Sequence, residues 1–165
     1  MGIKRFLFAA ISALMFGIAA SAQTQFEKTF EKGGVQCRIT KVERKGEDAV
    51  ISLTVKNLKS DRRKFQVFKN YGCDNKDQTT FIYDSEGYQY PIYRVLNGGN
   101  TYPVNMPSNV PVKVEIIVEK VPVALKSFRL ILPVIEVNND PDAIISDQKQ
   151  CYYPRFYDVP IPYER

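Results

Sequence analysis

The chain has 165 residues, of which 44% are hydrophobic and 12% aromatic, with ten tyrosines, ten phenylalanines, no tryptophan and no histidine, and its formal net charge is +5. The lack of histidine removes Ser-His-Asp and Cys-His catalysis and most zinc, copper and non-haem iron sites, which rely on imidazole. The positive charge is mild and forms no dense stripe, so it gives nucleic-acid binding no footing.

The N-terminus reads as an export signal: basic Lys4 and Arg5, an apolar run from Phe6 to Ala20, and a small-residue cleavage pattern at Ala20-Ser21-Ala22. Residues 1–22 are expected to be removed, leaving a chain that begins at Gln23, is extracytoplasmic (periplasmic or secreted), and has no stable membrane insertion after cleavage. The run is short for a membrane span, and no cysteine stands at the cleavage point for lipid attachment. Loss of Lys4 and Arg5 lowers the formal charge from +5 to +3.

Residues 23–33 read as a flexible, polar lead-in, and 34–165 as a single domain. A first strand is expected over Val35 to Val42, with Val35, Cys37 and Ile39 on one face. Gly46-Glu47-Asp48 turns the chain into a second strand, Ala49 to Asn57, where Ala49, Ile51, Leu53 and Val55 alternate with more polar residues. The charged stretch from Leu58 to Lys64, containing Arg62-Arg63-Lys64, reads as a solvated turn, and Phe65 to Lys69 as a short strand. The Gly, Asn and Asp residues between Asn70 and Asp77 favour a loop. Thr79 to Tyr83 and Gly87 to Tyr93 then form a hairpin around Asp84-Ser85-Glu86-Gly87.

After a break at Asn97-Gly98-Gly99-Asn100 comes the clearest period of two in the chain, VPVKVEIIVEKV from Val110 to Val121. Val110, Val112, Val114, Ile116 and Val118 point one way, while Lys113, Glu115 and Glu119 point the other. Burial of those five side chains contributes on the order of 10 kcal/mol before chain entropy, so an apolar sheet is expected opposite them. Pro111 fits only at the start of that strand. Ser127 to Val134 alternates again, Asp140 and Pro141 suit the opening of a short helix ending by Lys149, and Phe156 to Tyr163, with Pro160 and Pro162, reads as an edge strand.

Seven or eight short alternating strands with turns between them predict an all-β, two-sheet antiparallel immunoglobulin-like β-sandwich. The run ISLTVKN, then FIYDSEGYQY with Asp84, Gly87 and Tyr90 as D-x-x-G-x-x-Y, then MPSNVPVKVEIIVEKVP and KSFRLILPV resembles small bacterial extracytoplasmic immunoglobulin-like domains of unassigned function. The resemblance spans roughly residues 35 to 135. It implies the fold, and no activity, cofactor or site residues.

Three cysteines in an exported chain permit one disulfide. Of the three pairings, Cys73 with Cys151 is preferred, because both fall in expected loops whereas Cys37 is in phase with buried positions; Cys37 is then an inert buried thiol. Asp74-Asn75-x-Asp77 and Asn138-Asn139-Asp140-x-Asp142 lack EF-hand spacing and read as turns, so no metal site, catalytic residue or cofactor is assigned. The candidate ligand-binding residues are Tyr88, Tyr90, Tyr152, Tyr153 and Tyr157, each joining a flat apolar ring to a polar tip. The leading expectation is a non-enzymatic binding module acting through loops or an edge strand on an envelope protein or a glycan. The alternatives are a carbohydrate-binding accessory domain using exposed tyrosines, and a carboxylate-dependent glycosidase, for which Glu115 and Glu119 are a solvated strand face.

Overall fold

The computed structural model describes residues 28–67, 81–98, 103–138 and 149–163. The expected leader, the expected loop containing Cys73 and the expected helix after Pro141 lie outside them. The described residues are all β, and every pairing between named strands is antiparallel.

One layer is a five-stranded sheet built from β1 (Lys28–Lys32), β2 (Val35–Lys45), β3 (Asp48–Asn57), β7 (Ile92–Leu96) and β9 (Pro111–Val118), in the order β1-β2-β3-β9-β7. The valine ladder is β9, and its register sets Val114 opposite Leu53 and Ile116 opposite Ile51. Val114, Ile116 and Val118 are buried, whereas Val110 lies before the strand and is 50% exposed. The expected apolar face therefore begins at Val112, which is half-buried against the core, instead of at Val110, because Pro111 opens the strand at its rim.

The second layer contains β5 (Phe81–Tyr83), β6 (Gln89–Tyr90), β10 (Ser127–Ile131) and β13 (Arg155–Pro160) in the order β13-β10-β5-β6. Beside them, β4 (Arg63–Val67), β8 (Val104–Met106), β11 (Val134–Asn138) and β12 (Lys149–Tyr152) run in the order β12-β11-β4-β8. These two four-stranded sheets are continuous in chain. Ile131 pairs with Arg155 and Val134 with Tyr152, and between them the Leu132 amide donates to the Pro154 carbonyl at 3.0 Å. Pro133 and Pro154 have no amide hydrogen to continue the ladder. Two long partner strands thus bend together at one crease, and the single expected strand Ser127 to Val134 becomes β10 and the start of β11.

A similar break occurs at Pro91. The expected strand Gly87 to Tyr93 is two strands in different layers: β6 pairs with β5, and β7 pairs with β9. Between the layers lies one apolar core, to which Ile51, Val114 and Ile116 contribute from one side and Ile82, Leu130 and Phe156 from the other. This is the two-layer antiparallel immunoglobulin-like sandwich, divided into more and shorter strands than the seven or eight expected.

The lead-in is also more ordered than expected: Lys28–Lys32 is an edge strand paired to Val35–Ile39 through a turn in which Gly33 and Gly34 both have positive φ. Its charged residues hid it, since only Phe30 packs on the core. Charged side chains along an outer strand discourage pairing with another chain.

Candidate functional site

The first of the expected motifs is a structural device. In the β5–β6 hairpin, Asp84 Oδ1 accepts the amides of Glu86 and Tyr88, each at 2.9 Å, and Oδ2 accepts the Tyr90 hydroxyl at 2.9 Å. Gly87 adopts φ +89°, the left-handed region that suits glycine. Burial pushes the Asp84 carboxyl up, but the Tyr90 hydroxyl and the surrounding amides together hold it below the usual carboxylate value. Burial first, and the Asp84 hydrogen bond second, push the Tyr90 phenol up to about 12. Asp, Gly and Tyr at this spacing therefore lock a turn.

The five tyrosines singled out from the sequence do not converge. Tyr88 is 66% exposed at the hairpin, and Tyr90 is engaged with Asp84. Tyr152 is 2% exposed and lies over the β1–β2 turn, where a Cβ at Gly33 would meet its hydroxyl at 2.6 Å. The Tyr153 ring is half-buried, with its hydroxyl shielded from solvent. Only Tyr157, 49% exposed on β13, faces outward beside other recognition-type side chains.

Those companions define the candidate site, on the outer face of β5, β10 and β13. Alternation sends Ile82, Leu130 and Phe156 into the core, and so turns their neighbours outward. One row is Tyr83, Arg129 and Tyr157: Arg129 pairs across the strands with Tyr83, and its guanidinium carbon lies 5.5 Å from the centroid of the Tyr157 ring. The next row is Phe81, Ile131 and Arg155, with Ile131 opposite both of the others. Phe81 and Tyr83 are tilted against each other, with ring centroids 5.6 Å apart.

A bulge on β13 sets this geometry. Phe128 pairs with Val159 but Leu130 pairs with Phe156, so Tyr157 and Asp158 together oppose Arg129. Asp158 takes the extra step at φ +50°, which keeps Tyr157 outward and returns Val159 to the core. The Asp84–Gly87 turn walls one end of the resulting cleft, which has a volume of about 430 Å³ and is floored by Arg129, Ile131, Arg155 and Tyr157. An arginine over a tyrosine face is a cation–π arrangement that leaves the guanidinium donors free to bind.

Sequence reasoning identified Tyr157 and missed Tyr83, Arg129 and Arg155. The outward phase of Arg129 between Phe128 and Leu130 was legible, but its closeness to Tyr157 depends on the β13 bulge, which has no sequence mark beyond a turn-tolerant Asp.

A second, basic cleft of about 530 Å³ lies between β4 and β8, lined by Arg62, Arg63, Lys64, Asn105, Met106 and Pro107. Arg63 is committed there to a bidentate pair with Asp61, at 2.8 and 2.6 Å. Among the described residues no group of three or more His, Cys, Asp or Glu is arranged to hold a metal ion. Cys37 is a buried free thiol, which burial pushes up to about 12. Cys151, opposite Ile135 on β12, is disulfide-bonded, and its expected partner Cys73 is outside the described residues.

No protein-family model and no curated protein matches the chain. Among solved structures it is similar to the GAE domain of yeast GGA1, at 10% identity and a TM-score of 0.46 over 80% of this chain and 97% of that one. It is also similar to PapD-like domain 7 of human CEP192, at 12% identity and a TM-score of 0.43 over 85% and 94%. The yjhA protein of Bacillus subtilis superposes with a TM-score of 0.40 at 13% identity over 82% and 96%. Likenesses of this degree carry no functional argument.

Proposed function

We propose that this chain is a non-enzymatic, exported protein-interaction module whose contact surface is the outer face of β5, β10 and β13. One observation carries the reading: Arg129 lies over the Tyr157 ring, flanked by Tyr83, on the floor of an open cleft. Tyrosine and arginine are the side chains most enriched among the residues that dominate protein–protein binding energy, since each offers a wide planar contact and a polar tip at modest entropic cost. The strands beneath are tied into the core through Leu130 and Phe156, so the surface is preorganised and little freedom is lost on binding. Asp84, one of two carboxylates beside the cleft with Glu86, has its oxygens occupied by two amides and a phenol, which leaves it poorly suited to acid–base work.

Export is part of the proposal, with residues 1–22 as the leader and Cys73 as the disulfide partner of Cys151. Placement of a photo-crosslinking phenylalanine analogue at position 157, in cells of the source organism, tests the contact surface; the same analogue at exposed Val123 is the control. A discrete protein adduct at 157 that is absent at 123 supports the reading. Saturable glycan binding lost in Tyr157→Ala, with no protein adduct, replaces it with the carbohydrate reading.

A further inference from the structure

We infer that the partner presented to this face is an extended acidic segment of a protein, with carboxylates at alternate positions; this rests on the interaction-module reading above. Arg129 and Arg155 both project from the outer face, and Arg155 is opposite Ile131, two residues beyond Arg129 on the same strand. They are therefore diagonal cross-strand neighbours, about 7–8 Å apart at their origins.

Two like charges at that separation repel each other, and among the described residues neither arginine has an ion-pair partner. Asp84 is consumed by its own turn, and Glu86 is exposed at the cleft wall and pairs with neither. Asp158 opposes Arg129 at the bulge but forms no ion pair with it, so among the described residues the face carries two guanidinium groups that no carboxylate pairs. Carboxylates complete such a pair through charge-assisted, often bidentate hydrogen bonds.

Spacing selects the form of the ligand. Alternate side chains of an extended strand lie about 7 Å apart on one face, matching the diagonal between the arginines, whereas adjacent residues point to opposite sides. Beside the charges, Ile131 and the Tyr157 ring line the cleft, and Phe81 and Tyr83 lie on the next strand, beyond Arg129, so apolar surface adjoins the two guanidinium groups. The β13 strand itself does not invite strand addition: Pro154 and Pro160 and the Asp158 bulge interrupt its free edge. The segment is accordingly expected to lie across the face, held by side chains.

The test uses the chain from Gln23 onward and a fluorescein-labelled peptide of alternating glutamate and serine, with a glutamine-for-glutamate peptide and one with its glutamates in adjacent pairs as comparisons. Binding to the alternating peptide is expected to be at least about tenfold tighter than to either comparison. Arg129→Gln and Arg155→Gln are each expected to lose about tenfold, and Arg62→Gln, which removes the same charge elsewhere, to lose less than about twofold. All three residues are surface positions, and circular dichroism checks that the variants fold.

Equal binding of the glutamate and glutamine peptides overturns the inference, as does an Arg62→Gln loss equal to that of Arg129→Gln. Polygalacturonate displacing the peptide at lower carboxylate concentration overturns it in favour of an acidic glycan. If the peptide fails while the position-157 crosslink still captures a discrete protein, the acidic-segment inference falls and the interaction module stands; failure of both removes both.

Discussion

The Tyr90 hydroxyl donates to Asp84 Oδ2 at 2.9 Å across the tip of the β5–β6 hairpin, and this bond positions one wall of the arginine-lined cleft. Because the same carboxylate also holds the Glu86 and Tyr88 amides, the turn is fixed by a side chain more than by its short ladder.

That bond predicts an acid-sensitive hairpin. The Asp84 carboxyl is depressed in the folded state, so its contribution to stability is complete above the ordinary carboxylate value near pH 4 and is lost as pH falls through the lower folded value. Tyr90→Phe removes one of the three bonds and should raise the Asp84 carboxyl toward its ordinary value. Carbon-detected NMR titration of the aspartate side chains reads this, and an unchanged Asp84 curve in Tyr90→Phe would refute the assignment.

At the alkaline end two groups act in the same direction. Tyr90 and Cys37 each hold their proton up to about pH 12 in the folded chain, whereas the unfolded chain releases them near 10 and 9 respectively. The folded state therefore binds more protons across that interval, and stability must decline from about pH 9 upward. Urea midpoints measured from pH 8 to 11 should fall monotonically, and Cys37→Ala should flatten the first part of the decline. A flat profile would be inconsistent with the burial of either group.

Asn57 ends β3 with its side chain buried. Nδ2 donates to the Asp61 carbonyl at 2.8 Å and more weakly to that of Met106 at 3.5 Å, and Oδ1 accepts the Lys59 amide at 2.9 Å. Asn57→Ala removes all three bonds, of which the one to Met106 is buried and the other two part-buried, so a loss of about 1–3 kcal/mol is expected. Chemical denaturation measures it; a cost below about 0.5 kcal/mol would mean that the loop satisfies itself without the amide.

Arg44 is 8% exposed and donates Nη1 to the Val121 carbonyl at 2.8 Å and Nη2 to the Pro122 carbonyl at 3.0 Å. The fork clamps the β2–β3 turn to the chain leaving β9. Arg44→Lys keeps the charge but offers a single point of donation, and should destabilise by about 1–3 kcal/mol. Equal stability of Arg44→Lys and the parent would show that charge alone suffices.

Thiol counting addresses the cysteines. With Cys73 and Cys151 joined, Ellman's reagent should find no reactive thiol in the native protein at pH 8, since Cys37 is buried and protonated. One thiol per chain should appear in denaturant. Three in denaturant would dismiss the disulfide.

The alternating ladders of β2, β3 and β9 were legible because a period of two with branched apolar residues has one physical reading when one face is covered. Thus Val35, Cys37 and Ile39, and Val114, Ile116 and Val118, are buried as their spacing requires. What escaped was pairing. Nothing local distinguishes a strand that changes layers at Pro91 from one that merely ends there, and nothing local brings Arg129 beside Tyr157. Edge strand β1 escaped because a strand covered on one side by a single phenylalanine has almost no apolar signal.

The passage from β6 to β7 at Pro91 has a consequence for how the molecule assembles. The chain is stitched from one layer to the other within a single residue, and β7 closes on β9 only after a long detour through the sequence, as Ile92 meets Val118. Neither layer is complete while the other is missing, and many pairings join distant parts of the chain. Folding should therefore be slow, on the order of milliseconds to seconds, and all-or-none, with no half-built sheet left exposed to recruit neighbouring chains.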